Sequence, residues 1–281
     1  AVPRVFEKVF NGAQHKAHLE GHGRIFDKSV DVAIRWSKHR TTGGTRPLTR
    51  LAHFALDRVV YRKLRKVFGG RMRFAFSGGG PLGERLTHFF NGIVVRIFEG
   101  YGLTETSPTL TVNRAEAWKP GTVGTPLAGT SIRVADDGEI LAKGPQVFGG
   151  YWHNESATAT TFDDDGWFLT GDIGTLDDDG FLRITGRKKE IIVTAAGKNV
   201  APAPLEDRLA AHPLISQAVV VGDARPFVAA LVTLEPEALT EWARAHGMAE
   251  ESAADVTENS ELRAMVQSAV DDANRSVSRA E

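Results

Sequence analysis

Between residues 73 and 101 a short apolar stretch, a glycine-rich turn, a helix-like segment and a second apolar stretch follow one another. No other part of the chain restricts its architecture as much. Arg73-Phe74-Ala75-Phe76 reads as a strand, and Ser77-Gly78-Gly79-Gly80-Pro81-Leu82-Gly83 opens a helix. Ile93-Val94-Val95-Arg96-Ile97-Phe98 is β-branched and aromatic, the texture of a buried strand. A β-α-β unit of this kind belongs to an α/β sheet. Gly78, Gly80 and Gly83 fit G-x-G-x-x-G, with Glu99 about 20 residues on at the end of the next strand. That is the dinucleotide-binding fingerprint in its strand–turn–helix–strand setting, and by itself it points to a nicotinamide-dependent oxidoreductase.

The octet Glu99-Gly100-Tyr101-Gly102-Leu103-Thr104-Glu105-Thr106 adds a different chemistry. Gly100 and Gly102 break the strand and, lacking Cβ atoms, let backbone approach a ligand. Thr104 and Thr106 suit phosphate oxygens, and Glu105 is a hard oxygen ligand of the kind Mg²⁺ takes beside a nucleotide. A strand that ends in a polar loop accounts for the same residues equally well.

Four motifs in order discriminate between these readings. They are Ser77-Gly78-Gly79-Gly80-Pro81-Leu82, Gly100-Tyr101-Gly102-Leu103-Thr104-Glu105-Thr106, Gly166-Trp167-Phe168-Leu169-Thr170-Gly171-Asp172 and Gly186-Arg187-Lys188-Lys189-Glu190. Together they closely resemble the adenylate-forming superfamily of acyl-CoA synthetases, luciferase and peptide-synthetase adenylation domains. Val2-Pro3-Arg4-Val5-Phe6-Glu7-Lys8 and Lys198-Asn199-Val200-Ala201-Pro202 are similar to segments of bacterial long-chain fatty acyl-CoA synthetases. The resemblance runs over nearly the whole chain. It implies an α/β fold, with residues 1–187 the later part of a large N-terminal domain carrying a β-rich subdomain. Residues 188–281 would form a small, mobile α+β C-terminal domain.

The same resemblance implies a long-chain fatty acid–CoA ligase using ATP, Mg²⁺ and coenzyme A. A fatty carboxylate would attack the α-phosphorus of ATP, and the thiol of coenzyme A would then displace AMP. Gly78, Gly79 and Gly80 would form the wall beside adenine, with Glu99, Gly100 and Tyr101 bordering the purine. Thr104 would hold a phosphate oxygen and Glu105 would ligate Mg²⁺. The carboxylate of Asp172 would accept from the ribose hydroxyls, and Arg187 would reach the same ribose. Lys189 would be the hinge of the small domain, and Gly197 would come to the pantetheine tunnel. Val193 stands where long-chain relatives often carry a lysine, which leaves that contact unsupplied. The family's phosphate loop is expected upstream of Ala1 and its catalytic lysine downstream of Glu281, so these 281 residues alone are expected not to adenylate.

Two further readings differ in partner. An acyl-AMP ligase would load a carrier protein, but the insertion reported for such relatives has no counterpart between Asp172 and Arg187. A non-catalytic interaction module would use the basic N-terminal helices, since residues 1–73 hold 17 Lys and Arg against 5 Asp and Glu. That block reads as a solvated helix face or a peripheral membrane contact; no nucleic-acid partner is expected. No apolar run approaches the roughly 18 residues of a membrane span. The chain opens on Ala1, and no charged n-region with an apolar core follows. A soluble or peripheral, cytoplasmic protein is therefore expected. The absence of cysteine excludes disulfides and thiolate chemistry.

Helices are expected from Pro3, over 24–38, over 48–68, over 204–211, over 236–246 and over 261–278. Asn154 is placed to cap a short helix through Phe162. Asp136-Asp137-Gly138-Glu139, Asp163-Asp164-Asp165-Gly166 and Asp177-Asp178-Asp179-Gly180 read as hairpin turns rather than calcium loops. Strands are expected at 131–135, 140–142, 191–193, 216–222 and 227–234.

Overall fold

Proline at the first helical position and a stripe of aromatic residues start the chain as an amphipathic helix, α1 (Pro3–Leu19), which buries Phe6 and Phe10. It is followed by α2 (Gly23–Thr41) and α3 (Pro47–Leu56). The third expected helix is not regular. A π turn over Asp57–Tyr61 joins α3 to α4 (Arg62–Val67). The reason lies in what the inner face must reach. His53 Nε2 lies 2.6 Å from the Gly92 carbonyl oxygen, and the Tyr61 hydroxyl donates to the Ser29 carbonyl at 2.7 Å. Eight residues apart on a regular α-helix, these side chains would point about 80° apart. The wider π turn returns both to one side.

The computed structural model describes residues 1–44, 46–248 and 252–275. It divides into two units, Ala1–Ile184 and Thr185–Glu281. In the first unit, β1 (Phe74–Ser77), α5 (Glu84–Gly92) and β2 (Arg96–Tyr101) make the expected β-α-β unit, with β1 and β2 parallel and Ser77 opposite Glu99. Strand β2 begins three residues later than the apolar run suggests. Ile93 caps α5, and Val94 takes a left-handed φ of 64°. Ile93 and Val95 are fully buried, so their apolar character records packing rather than extended backbone. The glycines do not end the strand either. Gly100 and Tyr101 remain in β2 because β3 (Thr111–Val112) pairs antiparallel with them, and β4 (Thr125–Pro126) follows β3.

The helices and the inner face of β1 and β2 close on one core, in which Phe6, Phe10, Phe89 and Phe90 pack edge to face around Tyr61, Ile93 and Ile97. A second sheet runs in the order β5 (Ser131–Val134), β6 (Glu139–Lys143), β7 (Phe168–Leu176) and β8 (Leu182–Arg187). Asn154 caps α6 (Glu155–Ala159) by accepting from the Ala157 N–H. The helix stops before Phe162, which bridges instead to Phe168. The acidic turns are built as read: Asp163 Oδ1 accepts from the N–H groups of Asp165 and Trp167, and Asp177 Oδ1 from those of Asp179 and Phe181.

The second unit holds two antiparallel pairs. These are β9 (Ile192–Val193) with β10 (Asn199–Val200), and β11 (Ile215–Val221) with β12 (Ala229–Leu234). Around them lie α7 (Ala203–Ala210), α8 (Pro236–Ala245), α9 (Ala253–Glu258) and α10 (Ser260–Asn274). Leu205, Leu209, Ile215 and Ala273 lie in its core. Residues 276–278 of the last expected helix lie outside the described residues. The fold as a whole is mixed α/β. Among the described residues no helix is long and apolar enough to cross a membrane.

Candidate functional site

Strands β1 and β2 end side by side, which sets the first two motifs against each other. A methyl group on Gly78 would stand 3.4 Å from the Gly100 carbonyl oxygen. At Gly79, where φ is +81°, and at Gly80 the nearest atoms are 3.9 and 3.8 Å away. Those atoms are Val2 Cγ1 and Pro3 Cγ, so the turn presents bare backbone to which a methyl group could be added at ordinary van der Waals distance. Gly102 behaves differently: a Cβ there would lie 1.9 Å from the Pro108 carbonyl oxygen, and one at Gly100 would lie 3.2 Å from that of Thr111. The space expected to admit a ligand at Gly100 and Gly102 is taken by the returning chain instead.

Glu99 also departs from expectation. Its carboxylate is buried beneath the turn, accepting from the Thr87 hydroxyl at 2.8 Å and the Leu82 N–H at 3.2 Å. Burial pushes this carboxyl above its usual range, and the two hydrogen bonds and Arg183 only partly oppose it. A side chain so engaged does not border a purine; it braces the glycine turn. For the same reason the dinucleotide reading fails, because an acid that holds a ribose must present its oxygens outward.

The third motif meets the second through one short bond. The Tyr101 hydroxyl donates to Asp172 Oδ2 at 2.7 Å. Asp172 sits in β7 with little exposure, and its backbone is fixed from both sides. Its N–H donates to Thr170 Oγ1, whose hydroxyl donates in turn to the Ile140 carbonyl. The neighbouring Gly171 N–H donates to the buried Glu139 carboxylate at 2.9 Å.

The hydroxyls of the octet divide. Thr104 is exposed in a one-turn 3-10 helix over Thr104–Thr106. Thr106, expected to offer a second hydroxyl to phosphate, is fully buried. Its Oγ1 accepts from the Leu103 N–H and lies within bonding distance of the Leu103 and Pro108 carbonyls, so it is spent on the turn. Glu105 is half-buried and receives a partner absent from the sequence reading. The Tyr151 hydroxyl donates to Glu105 Oε1 at 2.9 Å, and the Phe148 N–H donates to the Glu105 carbonyl at 2.8 Å. Bonding to the carboxylate raises the Tyr151 phenol above its ordinary value.

Arg187, Lys189 and Gly197 belong to the second unit. Arg187 ends β8, and Lys189 is exposed in a short 3-10 turn over Lys188–Glu190. Gly197, with φ at +75°, closes a turn in which its N–H donates to the Thr194 carbonyl. Val193 is exposed in β9.

The donor set fits a magnesium nucleotide. Among the described residues no three His, Asp or Glu side chains gather to hold a metal unaided. One carboxylate completed by phosphate and water oxygens is how Mg²⁺ is commonly held beside a nucleotide, and Glu105 next to the exposed Thr104 would suit that role.

The first unit thus brings together a glycine turn braced by a buried acid and a tyrosine–aspartate pair. The chain belongs to the AMP-binding enzyme family: residues 1–152 match that family, and residues 189–281 match the AMP-binding enzyme C-terminal domain. It is 55% identical over 282 residues to the long-chain-fatty-acid–CoA ligase FadD15 of Mycobacterium bovis, which covers 100% of this chain and 47% of the relative. ATP-bound MatB from Rhodopseudomonas palustris superposes with a TM-score of 0.52 at 34% identity, over 62% of this chain and 38% of that one. O-succinylbenzoate coenzyme A synthetase (MenE) from Bacillus subtilis, in complex with ATP and magnesium, gives 0.53 at 28% identity, over 66% and 43%. The chain spans about half the length of the curated relatives it matches.

Proposed function

We propose that this chain serves an AMP-forming long-chain fatty acid–CoA ligase. The observation that carries the reading is the Tyr101–Asp172 hydrogen bond together with the bare backbone of the Gly78–Gly80 turn. The bond joins the second and third motifs, 71 residues apart, and the pairing of β1 with β2 sets the glycine turn next to the second. Adenine lies on Gly78–Gly80, with the Tyr101 ring as its other border. Asp172 keeps one oxygen on the tyrosine and turns its carboxylate to the ribose hydroxyls. Thr104 bonds a phosphate oxygen, and Glu105 holds Mg²⁺, which supplies charge neutralisation where the fatty carboxylate meets the α-phosphate.

The acyl chain has an apolar surface on the strand that leads into the glycine turn. Phe74 and Phe76, both about half exposed, share a face of β1 with Phe98 of β2. They line a hollow of about 350 Å³ rimmed by Arg40, Arg73, Arg96 and Arg114. Phe76 immediately precedes Ser77, so a chain lying there presents its carboxylate toward the glycine turn. In the second step coenzyme A attacks the acyl carbonyl, its sulfur forms the thioester and AMP leaves. Residues 188–281 act as a mobile domain hinged at Lys189, with Arg187 on the ribose and Gly197 at the pantetheine.

The test is AMP release by a full-length protein containing this chain, scored across a fatty acid chain-length series with and without coenzyme A. Release with long chains, dependent on coenzyme A and lost in Asp172→Ala, is expected. Acyl-adenylate accumulation indifferent to coenzyme A would point to a carrier-protein acceptor. No AMP from any fatty acid would refute the ligase reading.

A further inference from the structure

The segment that ties His53, Tyr61 and Leu64 into the core turns a second face outward. Leu48, Leu51 and Phe54 lie on one side of α3 and are 82%, 68% and 59% exposed. Single exposed apolar residues need no explanation, but three at successive helical spacings form a patch. Arg58 in the π turn and Lys63 and Lys66 in α4 continue it, all exposed. The Arg58 guanidinium stands 4.0 Å over the Phe54 ring, so the apolar and cationic parts are continuous. Asp57, the only acid between residues 47 and 68, is drawn aside by Arg65 at 2.7 Å and Arg62 at 3.6 Å. The outward face is therefore apolar, then cationic, with no free carboxylate on it.

We infer that the outer face of α3 and α4 docks on an anionic phospholipid membrane. A segment of 21 residues, roughly 30 Å long, lies in the plane of the interface. Leu48, Leu51 and Phe54 enter the acyl region, while Arg58, Lys63 and Lys66 meet lipid phosphates. A nucleic acid would use the same cations and leave the leucines and phenylalanine without a role. The inner-face bonds to Gly92 and Ser29 hold the segment helical beforehand, so no ordering cost falls on docking.

The experiment is co-sedimentation of this chain with vesicles of phosphatidylglycerol and phosphatidylcholine in equal parts, against pure phosphatidylcholine. Binding is expected only to the anionic vesicles, and it weakens as salt is raised. Lys63→Gln/Lys66→Gln should lower the partition coefficient about 25-fold, roughly fivefold per charge. Leu51→Ser/Phe54→Ser should abolish pelleting while melting as the parent does, since both side chains are exposed. No binding, or binding indifferent to Leu51 and Phe54, overturns the proposal. So does tighter binding to duplex DNA or RNA than to vesicles, or self-association that the Leu51/Phe54 variant abolishes. Binding by this chain that a longer protein containing it lacks would assign the face to an intramolecular contact, with the same consequence. Because the readout is lipid binding, it succeeds or fails independently of ligase activity.

Discussion

Removing the Thr87 hydroxyl should loosen the glycine turn through Glu99. Thr87→Val keeps shape and volume but leaves the buried carboxylate with the Leu82 N–H as its remaining partner there. A buried hydrogen bond to a charged group contributes about 2 kcal/mol. For a unit of this size that lowers the melting temperature by roughly 4–8 °C. Glu99→Gln makes the converse case. The amide oxygen still accepts from Leu82, the amide nitrogen donates to Thr87, and the Thr87 hydroxyl turns to the Gly83 carbonyl, already 3.1 Å away. No charge remains to desolvate. The pH dependence follows from the raised folded-state value. Above the ordinary value of 4.5 the unfolded chain gives up this proton first, so the group's contribution to stability falls as pH rises through the folded value and then levels. Glu99→Gln removes that slope and should melt no lower than the parent at about pH 7.5, whereas Thr87→Val should lose more there than at about pH 5. Tryptophan fluorescence follows the relevant unit, because Trp36, Trp118, Trp152 and Trp167, four of the five tryptophans, lie in it. Thr87→Val melting within a degree of the parent, or Glu99→Gln falling as far as Thr87→Val at both pH values, would refute the bracing role.

Tyr151→Phe should leave melting unchanged, since the side chain is 41% exposed. In the full-length enzyme it should raise the Mg²⁺ concentration for half-maximal AMP formation about fivefold, the worth of one hydrogen bond of roughly 1 kcal/mol; an unaltered Mg²⁺ titration would count against Tyr151 as the residue that orients Glu105. Gly102→Ala and Gly80→Ala should separate packing from binding. The first drives a methyl group into the Pro108 carbonyl and should cost about 3 kcal/mol or more in a denaturant melt. The second meets Pro3 Cγ at 3.8 Å, an ordinary van der Waals contact, and should fold normally while losing the thermal shift that AMP gives the full-length enzyme.

The regular elements were largely legible in the sequence because they rest on local rules. Proline and asparagine mark helix starts at Pro3 and Asn154, and aspartate–glycine turns mark hairpins at Asp137, Asp163 and Asp177. The strand at residues 93–98 misled because apolar content reports burial, and Ile93 and Val95 are buried as a helix end rather than as strand. The motif octet was found, but the direction of its side chains was not. Thr106 and Glu99 look like ligands in one dimension, and both are consumed by partners, Leu103 and Thr87, that the fold brings beneath them. Thr87 and Tyr151 lay outside the motifs. The Tyr151–Glu105 bond spans 46 residues and has no local signature. Thr170 stood within the quoted third motif, and its hydroxyl beside a glycine in the middle of a strand was the available signal.

Alternation along two short parallel strands ties the aromatic hollow to the framework more tightly than their length suggests. Phe74, Phe76 and Phe98 look one way, while Ser77 and Glu99, one residue on, look the other. Inserting or deleting one residue in either strand would exchange the two sets, sending rings into the helical layer and an acid into the greasy hollow. Under the proposed ligase reading, tuning for acyl length would proceed by swapping side chains at those three aromatic positions, not by changing the residue count between them and the glycines.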